Sequence, residues 1–182
     1  MGRYLGPRRS GQGRIGRWVM ALICVAASTA IADDEIERKT LVGLGGVQVA
    51  IGEIGPEAER KGFARSTIQT DVELRLRQAG IPVLSKAQST ATPGSPLLSV
   101  VVGVDVPDSR SSSGLCAWAV QVQLYQEVTL GRDRGVATSA PTWEGTRGFG
   151  TVGEKRLSDL RGVVRDKVDE FINAYLAANP KR

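Results

Sequence analysis

Four groups of residues in this chain are of types that could do chemistry. Glu53, Glu57 and Glu59 lie close together, and a carboxylate pair can divide acid and base duties. Asp105 and Asp108 flank Pro107 beside a serine-rich run, offering oxygens to a cation such as calcium. Cys116 follows that run and is a candidate nucleophile, and Gly43-Leu44-Gly45-Gly46 has the glycine density of a phosphate-binding turn. Each group also has a plainer reading. A dinucleotide fingerprint needs G-x-G-x-x-G between a strand and a helix. Here the glycines precede further strand pattern, which reads as a bulge or a close backbone approach. Glu57 and Glu59 sit where a helix begins, a position the helix dipole favours for acids. Calcium wants about six to eight oxygens from an organised loop, so Asp105 and Asp108 read as turn residues. The serines at 109 and 111–113 form neither G-x-S-x-G nor S-x-x-K.

Histidine is absent, which removes Ser-His-Asp and Cys-His activation and the common zinc sites. Cys116 without a base reads as a small buried hydrophobe. The sequence therefore predicts no catalytic residue, no cofactor and no metal ligand. An enzyme using carboxylates or Cys116 stays open as an alternative, recognisable by a pocket converging on Glu53, Glu57 or Cys116.

Aromatic residues are 5% of the chain, so the position of each ring carries information. Trp118 falls in phase with a core face. Trp143 stands on a short strand between Thr142 and Glu144 and reads first as a core residue; if it is instead solvent-accessible at an edge it is the first candidate for a partner contact. Gln121 and Gln123 join it on the polar face of the clearest strand in the chain.

The elements that must position these residues follow from periodicity. Residues 41–54 read as a strand with Val47, Val49 and Ile51 on one face. Pro56 opens a helix to about residue 79, with Ala64, Ile68, Val72 and Leu76 as its buried stripe and Gly80 closing it. Asp71–Arg75 and Glu73–Arg77 are i,i+4 pairs on that helix. Residues 81–84 begin a second strand, expected parallel to the first or one strand away from it. Residues 86–95 read as a polar loop and 96–106 as a strand, with Leu97 and Val101 suggesting partial cover on both faces. Residues 115–130 alternate strictly and give a strand with one dry and one wet face. A loop at 131–140, a strand at 141–149 and a helix at 155–178 complete the chain. The helical stripe is Leu157, Leu160, Val164, Val168, Phe171 and Tyr175, and Asn179-Pro180 is its stop. The prediction is an α+β fold of order β-α-β-β-β-β-α: a mostly antiparallel sheet of four to five strands with two helices on one face.

Residues 1–32 have a different logic. Arg8, Arg9, Arg14 and Arg17 precede an apolar run from Trp18 that ends at Ala30-Ile31-Ala32. Basic, apolar and A-x-A parts in that order make a secretory signal peptide. The run is shorter than the roughly 20 residues a spanning helix needs. Ile23, not a small residue, precedes Cys24, so Cys24 reads as part of the apolar run and not as a lipidation point. Cleavage near Ala32-Asp33 predicts a single domain over 33–182, periplasmic or secreted. Of the 24 Lys and Arg, five arginines lie in the first 32 residues, leaving 19 against 19 Asp and Glu. A domain of zero net charge has no field to gather nucleic acid or anionic lipid. Cys116 would then be the only cysteine, so packing alone must hold the fold.

Two segments, Leu74-Arg-Leu-Arg-Gln-Ala-Gly-Ile-Pro-Val83 and Phe171-Ile-Asn-Ala-Tyr-Leu-Ala-Ala-Asn-Pro-Lys181, resemble a group of uncharacterised exported bacterial proteins. The element order is also similar to small envelope accessory domains, such as the lipopolysaccharide-assembly lipoproteins and auxiliary components of envelope transporters. The resemblance implies a structural likeness and carries over no functional residue. The expected function is an exported, non-enzymatic accessory or binding domain of the bacterial envelope, meeting another envelope protein and no nucleic acid, with no stable membrane insertion once the leader is removed. A structural protein that oligomerises through a sheet edge is the other alternative.

Overall fold

The computed structural model describes residues 35–107 and 114–180. The expected leader, Asp108 and the serines that follow it lie outside the described residues. Residues Glu37–Arg182 group into one unit. No helix among the described residues is long and apolar enough to cross a membrane.

The fold is α+β. Its sheet has five strands: β1 (Gln48–Ile51), β2 (Leu97–Asp105), β3 (Leu115–Leu130), β4 (Asp133–Glu144) and β5 (Gly148–Gly153). β1 runs parallel to β2, β2 antiparallel to β3, and β3 pairs antiparallel with both β4 and β5. The bounds of β3 are those its alternation predicts. Its early residues pair β5 and its later residues pair β4, so the last two strands follow one another along a single edge.

Side-chain alternation decides which face is dry. Val49 and Ile51 of β1, Leu98, Val100 and Val102 of β2, and Val120, Val122 and Leu124 of β3 are all buried. Against this face pack α2 (Arg65–Gln78), through Ile68, Val72 and Leu76, and α4 (Leu160–Ala178), through Leu160, Val164, Val168 and Phe171. Both amphipathic stripes therefore meet one core, and on the opposite sheet face Val101, Gly103, Ala117 and Ala119 are exposed among the described residues.

Several elements differ from the periodicity reading, each for a local reason. The helix expected over 56–79 is two helices, α1 (Pro56–Arg60) and α2. Gly62 at φ +86° lets the chain end α1 in a Schellman turn, where Phe63 N–H donates to Ala58 O at 3.0 Å and Gly62 N–H to Glu59 O at 2.9 Å. Phe63 then enters the core with no exposed surface. Gly80 repeats this device at the end of α2, as the sequence predicts, with Ile81 N–H donating to Leu76 O at 2.9 Å. The strand expected at 81–84 is a single parallel bridge, Val47 to Val83. The expected first strand shortens to four residues, because Gly43 at φ +73° turns the chain before it. Gly46 is the close approach foreseen: a Cβ there would stand 2.6 Å from the Pro82 carbonyl oxygen.

The polar stretch after Ser85 is partly helical, as α3 (Lys86–Ala91). A reciprocal cap holds it: Gln88 N–H donates to Ser85 Oγ at 3.3 Å, and Ser85 N–H donates to Gln88 Oε1 at 2.8 Å. The loop expected at 131–140 is the second arm of a hairpin, whose residues 131–139 are all exposed. Polar composition at a wet hairpin end resembles a loop, but the β3 ladder supplies the missing order. Val101 is 46% exposed, so β2 is covered on one face only. Asp71 and Arg75 do not pair with each other. Arg161 binds Asp71 in bidentate fashion at 2.7 and 2.9 Å, and Arg75 binds Asp169 at 2.7 Å through each of two nitrogens, which ties α2 to α4.

Candidate functional site

The residues named for chemistry do not converge. Glu53 precedes α1 and Glu57 and Glu59 lie on it, all three exposed. Glu57 is ion-paired with Arg60, and Glu59 accepts from Arg65 N–H at 3.5 Å. Cys116 is fully buried, and burial pushes its thiol pKa up, the reverse of an activated thiolate. Three surface grooves of 340, 280 and 150 Å³ lie elsewhere, and none of the three is lined by Glu53, Glu57, Asp105 or Cys116. Among the described residues no group of three or more Cys, Asp and Glu is placed to hold a metal ion.

Trp143 is 5% exposed. Its ring meets Phe171 edge to face, 5.3 Å between centroids, inside the core. The condition for its acting as an exposed anchor is not met; the aromatic ring that is exposed on this part of the chain is Phe149, at 81%. The two rings are six positions apart, an even offset that would place both on one face of an unbroken strand. The strand is broken. Gln123 faces Glu144 and Val120 faces Gly148, so three steps along β3 match four on its partner. That extra residue is a β-bulge, and a one-residue slip sends every later side chain to the other face.

The bulge is pinned from both sides. Gly145 N–H donates to Val122 O at 2.9 Å, and a Cβ on Gly145 would stand 3.1 Å from the Trp143 ring. Thr146 N–H donates to Glu170 on α4 at 2.8 Å, while Lys167 Nζ reaches Thr146 Oγ1 at 2.6 Å and Glu170 Oε1 at 2.7 Å. Beyond the bulge Trp118 lies across Gly148 and Gly150, where a Cβ would approach its ring to 3.2 and 3.0 Å. The glycines on either side of Phe149 exist because this indole covers the dry face of β5.

Phe149 therefore stands on the open face. Its registered neighbours across β3 and β2 are Ala119 and Gly103, with Ala117 one row on. With half-exposed Val101 they form a low apolar floor beside one tall ring. Next to it lies a polar row. Gln121 and Gln123 donate to the two oxygens of Glu144 at 2.6 and 2.9 Å, and Arg147 Nε donates at 3.0 Å. Burial alone would raise the Glu144 pKa, but these bonds outweigh it and hold the carboxyl below its usual range. Gln121 and Gln123 thus lie on the face expected for them, with their amides committed to Glu144.

No family model matches this chain, and no curated protein shows significant sequence similarity to it.

Proposed function

We propose that this chain is a non-catalytic binding module of the bacterial cell envelope, exported with its leader removed near Asp33, which acts by protein contact through the open face of its sheet. One observation carries the reading: Phe149, an 81% exposed ring, stands on the edge strand β5 beside a floor of Val101, Gly103, Ala117 and Ala119. A large apolar side chain left exposed marks a contact surface, and aromatic anchors that become buried carry much of an interface's binding energy. The polar row led by Glu144 gives such a contact a rim and an orientation. Export is supported by the order of basic, apolar and A-x-A segments in residues 1–32. The acids and the thiol support a binding role over turnover, because helix starts, ion pairs and the core already account for them.

Photocrosslinking in cells tests this. A crosslinking amino acid replacing Val101 should give an adduct of one discrete mass, and the adduct should vanish with Phe149→Ser. The same probe replacing Arg77, on the helical layer, should give none. Equal adducts from both positions, or adducts indifferent to Phe149→Ser, would sink the reading. So would hydrolysis of an ester, glycoside or phosphate substrate that is lost on changing Glu57, Asp105 or Cys116.

A further inference from the structure

We propose that the outer edge of β5 is a strand-acceptor site whose occupant is the same edge of a second copy of this chain, paired antiparallel about a two-fold axis at Thr151. The inference rests on the reading of the open face as the contact surface, which the pairing would double.

Backbone direction comes first. Glu154 N–H donates to Gly114 O at 2.9 Å, and bonded and non-bonded pairs alternate along an antiparallel ladder. With Cys116 facing Val152 and Trp118 facing Gly150, residues 148, 150 and 152 turn their backbone groups toward β3. Phe149, Thr151 and Gly153 turn theirs outward. Among the described residues no backbone hydrogen bond reaches that outer side.

The neighbouring edge of β4 is treated differently. There the Thr40 hydroxyl lies 3.0 Å from the Thr142 carbonyl oxygen, and Glu144 N–H donates to Glu37 at 3.2 Å. Natural sheet edges are commonly guarded by lysine, proline, inward charge or a bulge, and here the bulge lies before β5 and not within it. The sequence Gly148-Phe-Gly-Thr-Val-Gly153 contains none of these.

The register also closes on itself. About a two-fold axis at Thr151, that residue meets its twin and Phe149 meets Gly153 of the second copy. All three are outward-facing residues, so each pairing can exchange backbone bonds. A ring set opposite a glycine avoids its own twin and lies toward Leu115, which β3 places next to Gly153 and which is 51% exposed. Such a contact is isologous and stops at two copies. It joins the two open faces into one continuous surface.

Sedimentation of the leader-free protein over a concentration series tests the pairing. The parent should self-associate. Thr151→Pro removes an outward N–H and no bond to β3, a place where edge strands tolerate proline. It should melt like the parent and weaken association roughly tenfold or more. Thr151→Lys and Thr151→Glu should each be monomeric alone, because like charges meet at the axis, and should associate when mixed. A parent that stays monomeric at its solubility limit would overturn the pairing, as would a Thr151→Pro variant that associates like the parent or a charged pair that fails to rescue. None of these results touches the Val101 crosslink, so a monomer that still gives a Phe149-dependent adduct would remove this inference and leave the binding module standing.

Discussion

Gly46 combines φ +146° with 2.6 Å between its absent Cβ and the Pro82 carbonyl oxygen, so both its conformation and its space exclude a side chain. Gly46→Ala should cost about 2–3 kcal/mol in urea unfolding. Gly45→Ala, with nothing within 4 Å of its Cβ position, should be close to neutral; equal losses at both would refute the steric account. Cys116 allows a second check: its thiol should ignore a maleimide in the native protein at neutral pH and react once urea unfolds it. Reaction at the rate of a free thiol in native buffer would mean that the strand opens. Phe149 shows the limit of reading at this scale. Its identity was plain, but its face depended on a bulge that Gly145 permits and does not announce. That Trp143 is buried and Phe149 exposed follows from that one residue of slip.

At the scale of elements, long periodic segments were legible and punctuation was less so. The strand over 115–130 and the stripe Leu160, Val164, Val168 and Phe171 needed only alternation and spacing, because burial on one face writes a period into the sequence. Gly62 and the Ser85–Gln88 cap were visible as residues, yet each competes with a longer pattern that runs across it. The wet end of the hairpin carries no pattern, since neither of its faces is buried. Val168→Asp or Phe171→Asp should abolish the unfolding transition, because a buried unpaired charge costs several kcal/mol against a stability of about 5–15. A variant melting near the parent would take the stripe out of the core. Ser85→Ala should cost about 1 kcal/mol through α3 alone, measured as a small shift in the urea midpoint.

The whole molecule has no histidine, so its stability should be flat between about pH 5 and 8. Acid is different. The Arg75 guanidinium lowers Asp169 from its ordinary 3.8, and hydrogen bonds to Gln69 and Arg77 lower Glu73 from 4.5. In Glu144 and Glu170, burial opposes the shift, but their hydrogen bonds prevail and the net direction is also down. Groups whose pKa falls on folding stabilise above their unfolded values, and that contribution is lost as pH drops through the folded ones. Urea midpoints should therefore decline below about pH 4.5, and Asp169→Asn should flatten the decline; an unchanged slope would assign it to other groups. The two ends of the described chain meet as well. Asn179 donates to the Leu41 carbonyl and accepts from Gly43 N–H, each at 2.8 Å, and the Tyr175 hydroxyl donates to Leu44 O at 2.8 Å. Contacts spanning more than 130 residues cannot form until nearly the whole chain is present, and such distant closures are slow. A nascent chain emerging N-terminus first thus leaves the Leu41 and Leu44 carbonyls and the Gly43 N–H without these partners until its last helix arrives. The opening segment of the domain is locked by the last helix the chain presents.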